Sequence, residues 1–204
     1  MRRTKEDAAI TREQLLAKAL RVFSKKGYAA TSLEDIAREA EVTRGAIYWH
    51  FGSKAELYNT LIREYSSRGS AIMQQAASEG GTLVDILRRV FVRQLQAVEE
   101  DTALRALMEL RLFKTGLVAE LEEGRQQQIE ASAGLVEMLA GIMGQGVQAG
   151  LLRSDVDPKE MARAYLGFQN GLIHLWLTTP NQFSLKNSAD SFADILVAGL
   201  QNQK

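Results

Sequence analysis

Thr43-Arg44-Gly45-Ala46-Ile47-Tyr48-Trp49-His50-Phe51 is the stretch whose reading decides the fold. On a helical wheel Ala46, Ile47 and His50 fall on one side, and Arg44, Gly45, Tyr48 and Trp49 on the other. Ile47 and Phe51 are placed to anchor this two-turn helix to Leu20, Leu33 and Ile36. An arginine, a glycine and two aromatics with polar tips are left facing outward. Exposed aromatics of this kind pack either on a neighbouring domain or on an external partner.

The chemistry around them favours a partner with phosphates and base edges. The major groove of DNA admits a helix whose first residues reach the bases. Arg44 has the fork that pairs with guanine, Thr43 donates or accepts, and Gly45 lets the backbone approach a phosphate. Tyr48 and His50 are donors suited to phosphate oxygens, and Lys54 stands where a further helix begins, which favours anions.

Working outward, helix-start signals recur. Thr11-Arg12-Glu13-Gln14, Thr31-Ser32-Leu33-Glu34, Ser53-Lys54-Ala55-Glu56 and Asp157-Pro158-Lys159-Glu160 each set a side-chain acceptor three residues before Glu or Gln. A first helix is expected at about 12–26, with Leu15, Leu16, Ala19, Leu20 and Phe23 on one face and Gly27 as its stop. The second spans about 33–40, the third about 44–50, and the fourth runs from 54 into the seventies. Gly80-Gly81 interrupts the chain before segments at about 83–99, 103–113, 118–148, 158–177 and 188–201. The expectation is an all-α chain of nine helices: a small helix-turn-helix domain at 1–52 and a larger helical domain at 53–204.

At these residues the sequence resembles the TetR family of repressors. The pattern Thr31-Ser32, Ile36-Ala37, Ala40, Val42-Thr43, Ile47-Tyr48-Trp49-His50-Phe51, Ser53-Lys54 and Leu57 looks like that family's DNA-binding signature over some 50 residues. The opening Arg2-Arg3-Thr4-Lys5-Glu6, with Thr43-Arg44-Gly45-Ala46-Ile47, is similar to the AcrR-like branch, whose members repress multidrug efflux genes. The resemblance implies DNA contacts by Arg44, Gly45, Tyr48, Trp49, His50 and Lys54, with Thr43 and Ser32 beside them. One departure is Glu41, where the family usually has glycine in a left-handed turn. A side chain there costs roughly 1 kcal/mol.

Composition agrees with this reading. Two prolines and no cysteine in 204 residues suit a helical protein without disulfide or thiolate chemistry. The net charge is zero, yet residues 1–55 hold eleven Lys and Arg against seven Asp and Glu, leaving fourteen against eighteen for the rest. No run approaches membrane-spanning length and the N-terminus lacks the apolar core of a secretory signal, so a cytoplasmic location is expected. Two histidines, no metal-ligand cluster, no Gly-x-Ser-x-Gly and no phosphate loop argue against an enzyme and against a bound cofactor or metal.

The larger domain carries Met and aromatic residues at helical spacing, which reads first as core. The helix near 158–177 also places Gln169, Asn170 and His174 amid apolar neighbours, and buried amides need partners. TetR-like proteins bind an effector in this domain, so the resemblance implies a pocket. Val90, Phe91, Met108, Phe168, Gln169, Asn170 and His174 are its candidate lining, suited to a large apolar or aromatic compound. No second His or Cys joins His174, which argues against a metal there. In the family the last two helices pair with a second copy. Gly167 and Gly171, with Phe192, Ile195, Leu196 and Leu200 as an apolar stripe, are the expected seam of a homodimer that reads a palindromic operator. The alternatives are a regulator of metabolic or fatty-acid genes, an activator, and a DNA-binding protein with no ligand.

Overall fold

A computed structural model describes residues 5–179 and 181–202; the side chains of residues 5–11 and 65 fall outside the description. Nine α-helices run through the described residues: α1 Lys5–Lys26, α2 Leu33–Ala40, α3 Arg44–Phe51, α4 Lys54–Ser78, α5 Leu83–Glu100, α6 Thr102–Glu109, α7 Glu122–Gln148, α8 Pro158–Thr178 and α9 Leu185–Leu200. A π-helical turn, Leu110–Lys114, follows α6, and a 3-10 turn, Ala119–Leu121, leads into α7. None of these helices is long and apolar enough to cross a membrane.

Short side chains set most helix starts. Asp157 accepts the Lys159 amide at 2.8 Å with Pro158 behind it, and Ser53 accepts the Glu56 amide at 3.0 Å. Several expected starts and caps differ. The first helix, expected from about Arg12 behind a Thr11 cap, begins at Lys5, because Lys5–Ile10 contains only residues compatible with a helix. The second box is shifted by one residue. Ser32, not Thr31, caps α2, and it exchanges hydrogen bonds with Asp35. Thr31 is buried instead, its hydroxyl donating to the Gly27 carbonyl at 2.7 Å. The last helix begins at Leu185, three residues earlier than its sequence pattern suggests, because Ser184 accepts the Asn187 amide.

The chain divides into two compact units. The first runs to Ser67 and takes in Thr102–Gly124. Its core is the inner face of α1 (Leu15, Ala19 and Phe23) closed by Ile36, Ile47, Leu57 and Leu61. Burying each of the Leu, Ile and Phe side chains stabilises the fold by about 1.5–3 kcal/mol. Leu107, Leu110 and Leu121 join the same core, so the connection between α6 and α7 is part of this unit. Phe23, Tyr28 and Tyr58 meet as an aromatic trio with ring centres 5.1–5.8 Å apart.

The second unit holds Arg68–Asp101 and the chain from Arg125 onward. Here α5 lies along α9. Ala189 and Ala193, both fully buried, let the two helices approach closely. Arg88 reaches Asp190 and Asp194, each at 2.8 Å, and Glu99 caps α9 by accepting from the Ser184 hydroxyl and the Lys186 amide. A carboxylate at a helix N-terminus is stabilising. Tyr165 of α8 donates to the Leu87 carbonyl at 2.9 Å, fixing α8 on α5.

Candidate nucleic-acid interface

Four local devices hold the outward helix in place. The Ser32–Asp35 box starts α2, and Thr43 starts α3 by accepting the Ala46 amide at 3.2 Å. Gly52, with φ 73°, ends α3 while its amide donates to the Tyr48 carbonyl, and Ser53 then starts α4. Between α2 and α3, Glu41 does adopt the left-handed conformation expected for glycine, with φ 55°.

Within α3 the sides divide as the wheel suggests. Ile47 and Phe51 are buried, whereas Trp49 and Tyr48 are 76% and 60% exposed. His50 is half-buried, its ring 4.7 Å from that of Trp49 in an edge-on contact. Phe51 is covered from outside by Arg12, whose guanidinium lies 5.6 Å over its ring. Two aromatics stand in solvent on a helix whose back is fully packed.

Gly45 sharpens this picture. A Cβ built there would meet nothing closer than the Thr43 hydroxyl, at 3.8 Å. Nothing inside the described protein requires glycine at this exposed first-turn position.

Arg44 and Lys54 differ in setting. Arg44 is exposed and ion-paired to Glu34 of α2 at 2.7 Å. Lys54 turns inward, its ammonium 4.3 Å over the Tyr28 ring, donating to the Tyr28 carbonyl at 3.3 Å and lying 3.6 Å from Glu120. The sequence shows Lys54 only as a cation at the start of α4. Its tether depends on Tyr28 and Glu120, which lie 26 and 66 positions away, and no local spacing shows it.

The effector candidates separate. Phe91 is fully buried and stacks on Phe168 at 5.9 Å, with Val90 buried in the same helix. Gln169 is buried and satisfied, donating to Gln94 at 2.6 Å; Gln94 is a partner that sequence reasoning missed, although it lies one turn from Val90. Asn170 and His174 are exposed, and Met108 belongs to the first unit.

Asn170 and His174 share an outer face of α8 with Gly167 and Gly171, with Leu175 beside them at 51% exposure. The expected stripe on α9 needs correcting. Leu196 and Leu200 are buried, and Phe192 packs edge-on against Phe168 and Phe183. Only Ile195 of the four stands out, at 64% exposure. Leu196 and Leu200 pack into their own unit, and Phe192 is half-buried against it.

A capped two-turn helix, packed on two predecessors and carrying Arg, Tyr and Trp outward, has the form of the recognition helix in a helix-turn-helix protein. The description "Bacterial regulatory proteins, tetR family" matches residues 15–61, and "MAATS-type transcriptional repressor, C-terminal region" matches residues 83–202. The chain belongs to the TetR family of transcriptional repressors.

The HTH-type transcriptional regulator AcrR of Shigella flexneri is 32% identical over 197 residues, covering 96% of this chain and 92% of that one. The crystal structure of NalD, the secondary repressor of the MexAB-OprM multidrug efflux pump in Pseudomonas aeruginosa, superposes with a TM-score of 0.86. That likeness is at 26% identity and covers 98% of this chain and all of that one. A SmeT–triclosan complex gives 0.81 at 26% identity, covering 95% of this chain and 93% of SmeT.

Proposed function

We propose that this repressor controls a multidrug efflux operon, binding a palindromic operator as a homodimer in the cytoplasm and leaving it when an apolar or aromatic effector binds. The observation that carries the DNA-binding half is the face of Arg44, Gly45, Tyr48 and Trp49, exposed above buried Ile47 and Phe51. In this reading Arg44 enters the groove with Gly45, and Thr43 and Ser32 flank it. Tyr48, Trp49 and His50 set its register on the backbone. Lys54 reaches a phosphate by exchanging Glu120 for it.

Support for the effector half comes from the aromatic stack of Phe91 on Phe168 beside the Gln94–Gln169 amide pair. An apolar wall with a few placed polar groups suits an aromatic ligand, and triclosan is such a compound in the SmeT complex. Val90, Phe91, Phe168 and Gln169 are the residues we assign to that wall. The dimer seam is assigned to Gly167, Asn170, Gly171, His174 and Leu175 of α8 with Ile195 and Gly199 of α9. Among the described residues, a Cβ added at Gly167, Gly171 or Gly199 would meet nothing within 4 Å, which leaves room for a second helix there.

The test is fluorescence anisotropy on DNA fragments selected from a random pool, with and without triclosan and related aromatics. A palindromic consensus released by an aromatic compound supports the reading. Tight aromatic binding that leaves the complex with DNA unchanged overturns the effector half, because a ligand shifts only equilibria in which it distinguishes the two states. Sedimentation showing monomer alone at micromolar concentration overturns the dimer.

A further inference from the structure

Among the acidic residues of α2, Glu34 stands apart. Asp35 turns to Lys26 of α1 at 2.7 Å, and Glu39 reaches Arg21 of α1 at 3.3 Å. Both knit the first helix to the second. Glu34, in the first turn of α2, instead crosses to Arg44, the first residue of α3, at 2.7 Å. Both partners are solvent-exposed, with 64% of the Arg44 side chain and 51% of Glu34 accessible. An exposed pair of this kind adds little to stability. Its position on the reading face gives it another use.

We infer that Glu34 is a specificity-determining residue, and that Glu34 and Arg44 act as one reading unit for a guanine with a cytosine adjoining it. The inference rests on the DNA-reading role proposed for α3. A guanidinium matches the two acceptors of guanine, O6 and N7, whereas a carboxylate can only accept. In the major groove cytosine offers the N4 amino donor alone, adenine sets an N7 acceptor beside its N6 donor, and thymine and guanine present acceptors that repel a carboxylate. Glu34, held within hydrogen-bond reach of Arg44, therefore admits cytosine beside the chosen guanine and rejects thymine. A carboxylate near phosphates otherwise weakens binding, so sequences lacking the donor are penalised. Before DNA arrives, the same contact holds the Arg44 fork in place.

The test compares wild type, Glu34→Ala, Glu34→Gln and Arg44→Ala. Each is put through selection from random duplexes, followed by anisotropy on the selected site and its single-base variants. Arg44→Ala identifies the guanine by losing preference there. Wild type should then bind about fivefold or more weakly when the adjoining cytosine is replaced by thymine. Glu34→Ala should bind both duplexes within twofold of each other and bind random duplex more tightly than wild type. Glu34→Gln should shift the preference toward adenine, whose donor and acceptor match an amide. Cytosine preference retained in Glu34→Ala, or absent in wild type, overturns the inference while leaving the DNA-reading role intact. Selection of no sequence at all by wild type overturns both.

Discussion

Tyr28 joins two distant parts of the first unit through opposite ends of its own backbone. Its amide donates to the Lys114 carbonyl at 3.0 Å, while its carbonyl accepts from the Lys54 ammonium at 3.3 Å. Lys114 in turn donates to the Ser24 carbonyl, and the Thr115 and Tyr58 hydroxyls lie 2.8 Å apart. The connection from α6 to α7 is thereby tied to the start of α4, with Glu120 completing the enclosure of Lys54.

That enclosure predicts how salt will act. Glu120→Gln releases Lys54 from its carboxylate, so operator affinity should rise with little change in its salt slope. Lys54→Ala should weaken binding and flatten the slope by about one phosphate contact. Titration of binding against potassium chloride measures both slopes; identical slopes in the two variants would remove Lys54 from the interface.

Gly45 separates folding from DNA approach. Gly45→Ala adds a Cβ into open space on a helix, which should leave the melting temperature unchanged or raise it by up to ~4 °C. Operator binding should weaken by about tenfold (~1.4 kcal/mol) if the backbone there meets DNA. Calorimetry and anisotropy on one preparation check both halves.

Gly124, at the start of α7, is constrained by α4. A Cβ there would lie 2.2 Å from the Asn59 amide oxygen, well inside contact distance. Gly124→Ala should destabilise the protein by about 1–3 kcal/mol through overpacking. Asn59→Ala in the same chain should recover most of that loss. Urea denaturation of the two single variants and the double variant gives the coupling directly.

Acid should loosen the contact between α1 and α2. Hydrogen bonds from Lys26 and then from Ser32 lower the Asp35 carboxyl to about 2, from an ordinary value of 3.8. A depressed folded pKa favours the folded state fully above about pH 4, and the advantage disappears as pH falls through about 2. Stability should decline across that window. Asp35→Asn should be less stable than wild type at neutral pH and should lose less on acidification, as thermal melts from pH 6 to pH 2 would reveal.

Much of the reading head is legible in the sequence because its determinants are local. The 3–4 spacing of Leu15, Ala19 and Phe23, the cap at Ser53, and the Ile47–Phe51 anchor all lie within a few residues of what they control. The shift from Thr31 to Ser32 shows the limit of that locality. Two adjacent hydroxyls satisfy nearly the same pattern, and burial of Thr31 against Gly27 decides between them.

The larger domain is less legible because its pairings are remote. Gln169 is recognisable as an amide needing a partner, yet Gln94 lies 75 positions away. Phe192, Leu196 and Leu200 have the spacing of a seam, but periodicity does not say whether a helix turns its apolar side toward its own unit or another. The partners Phe168 and Phe183 settle that for Phe192.

The glycines on α8 and α9 have a thermodynamic consequence. Each costs an isolated helix roughly 0.5–1 kcal/mol relative to alanine, and a Cβ added at Gly167, Gly171 or Gly199 would meet nothing within 4 Å among the described residues. In the proposed dimer, a second copy seated against them would recover that deficit on association. Resistance to unfolding then becomes a function of how much protein is present. Alanine at all three positions would harden the lone subunit and remove that dependence on abundance.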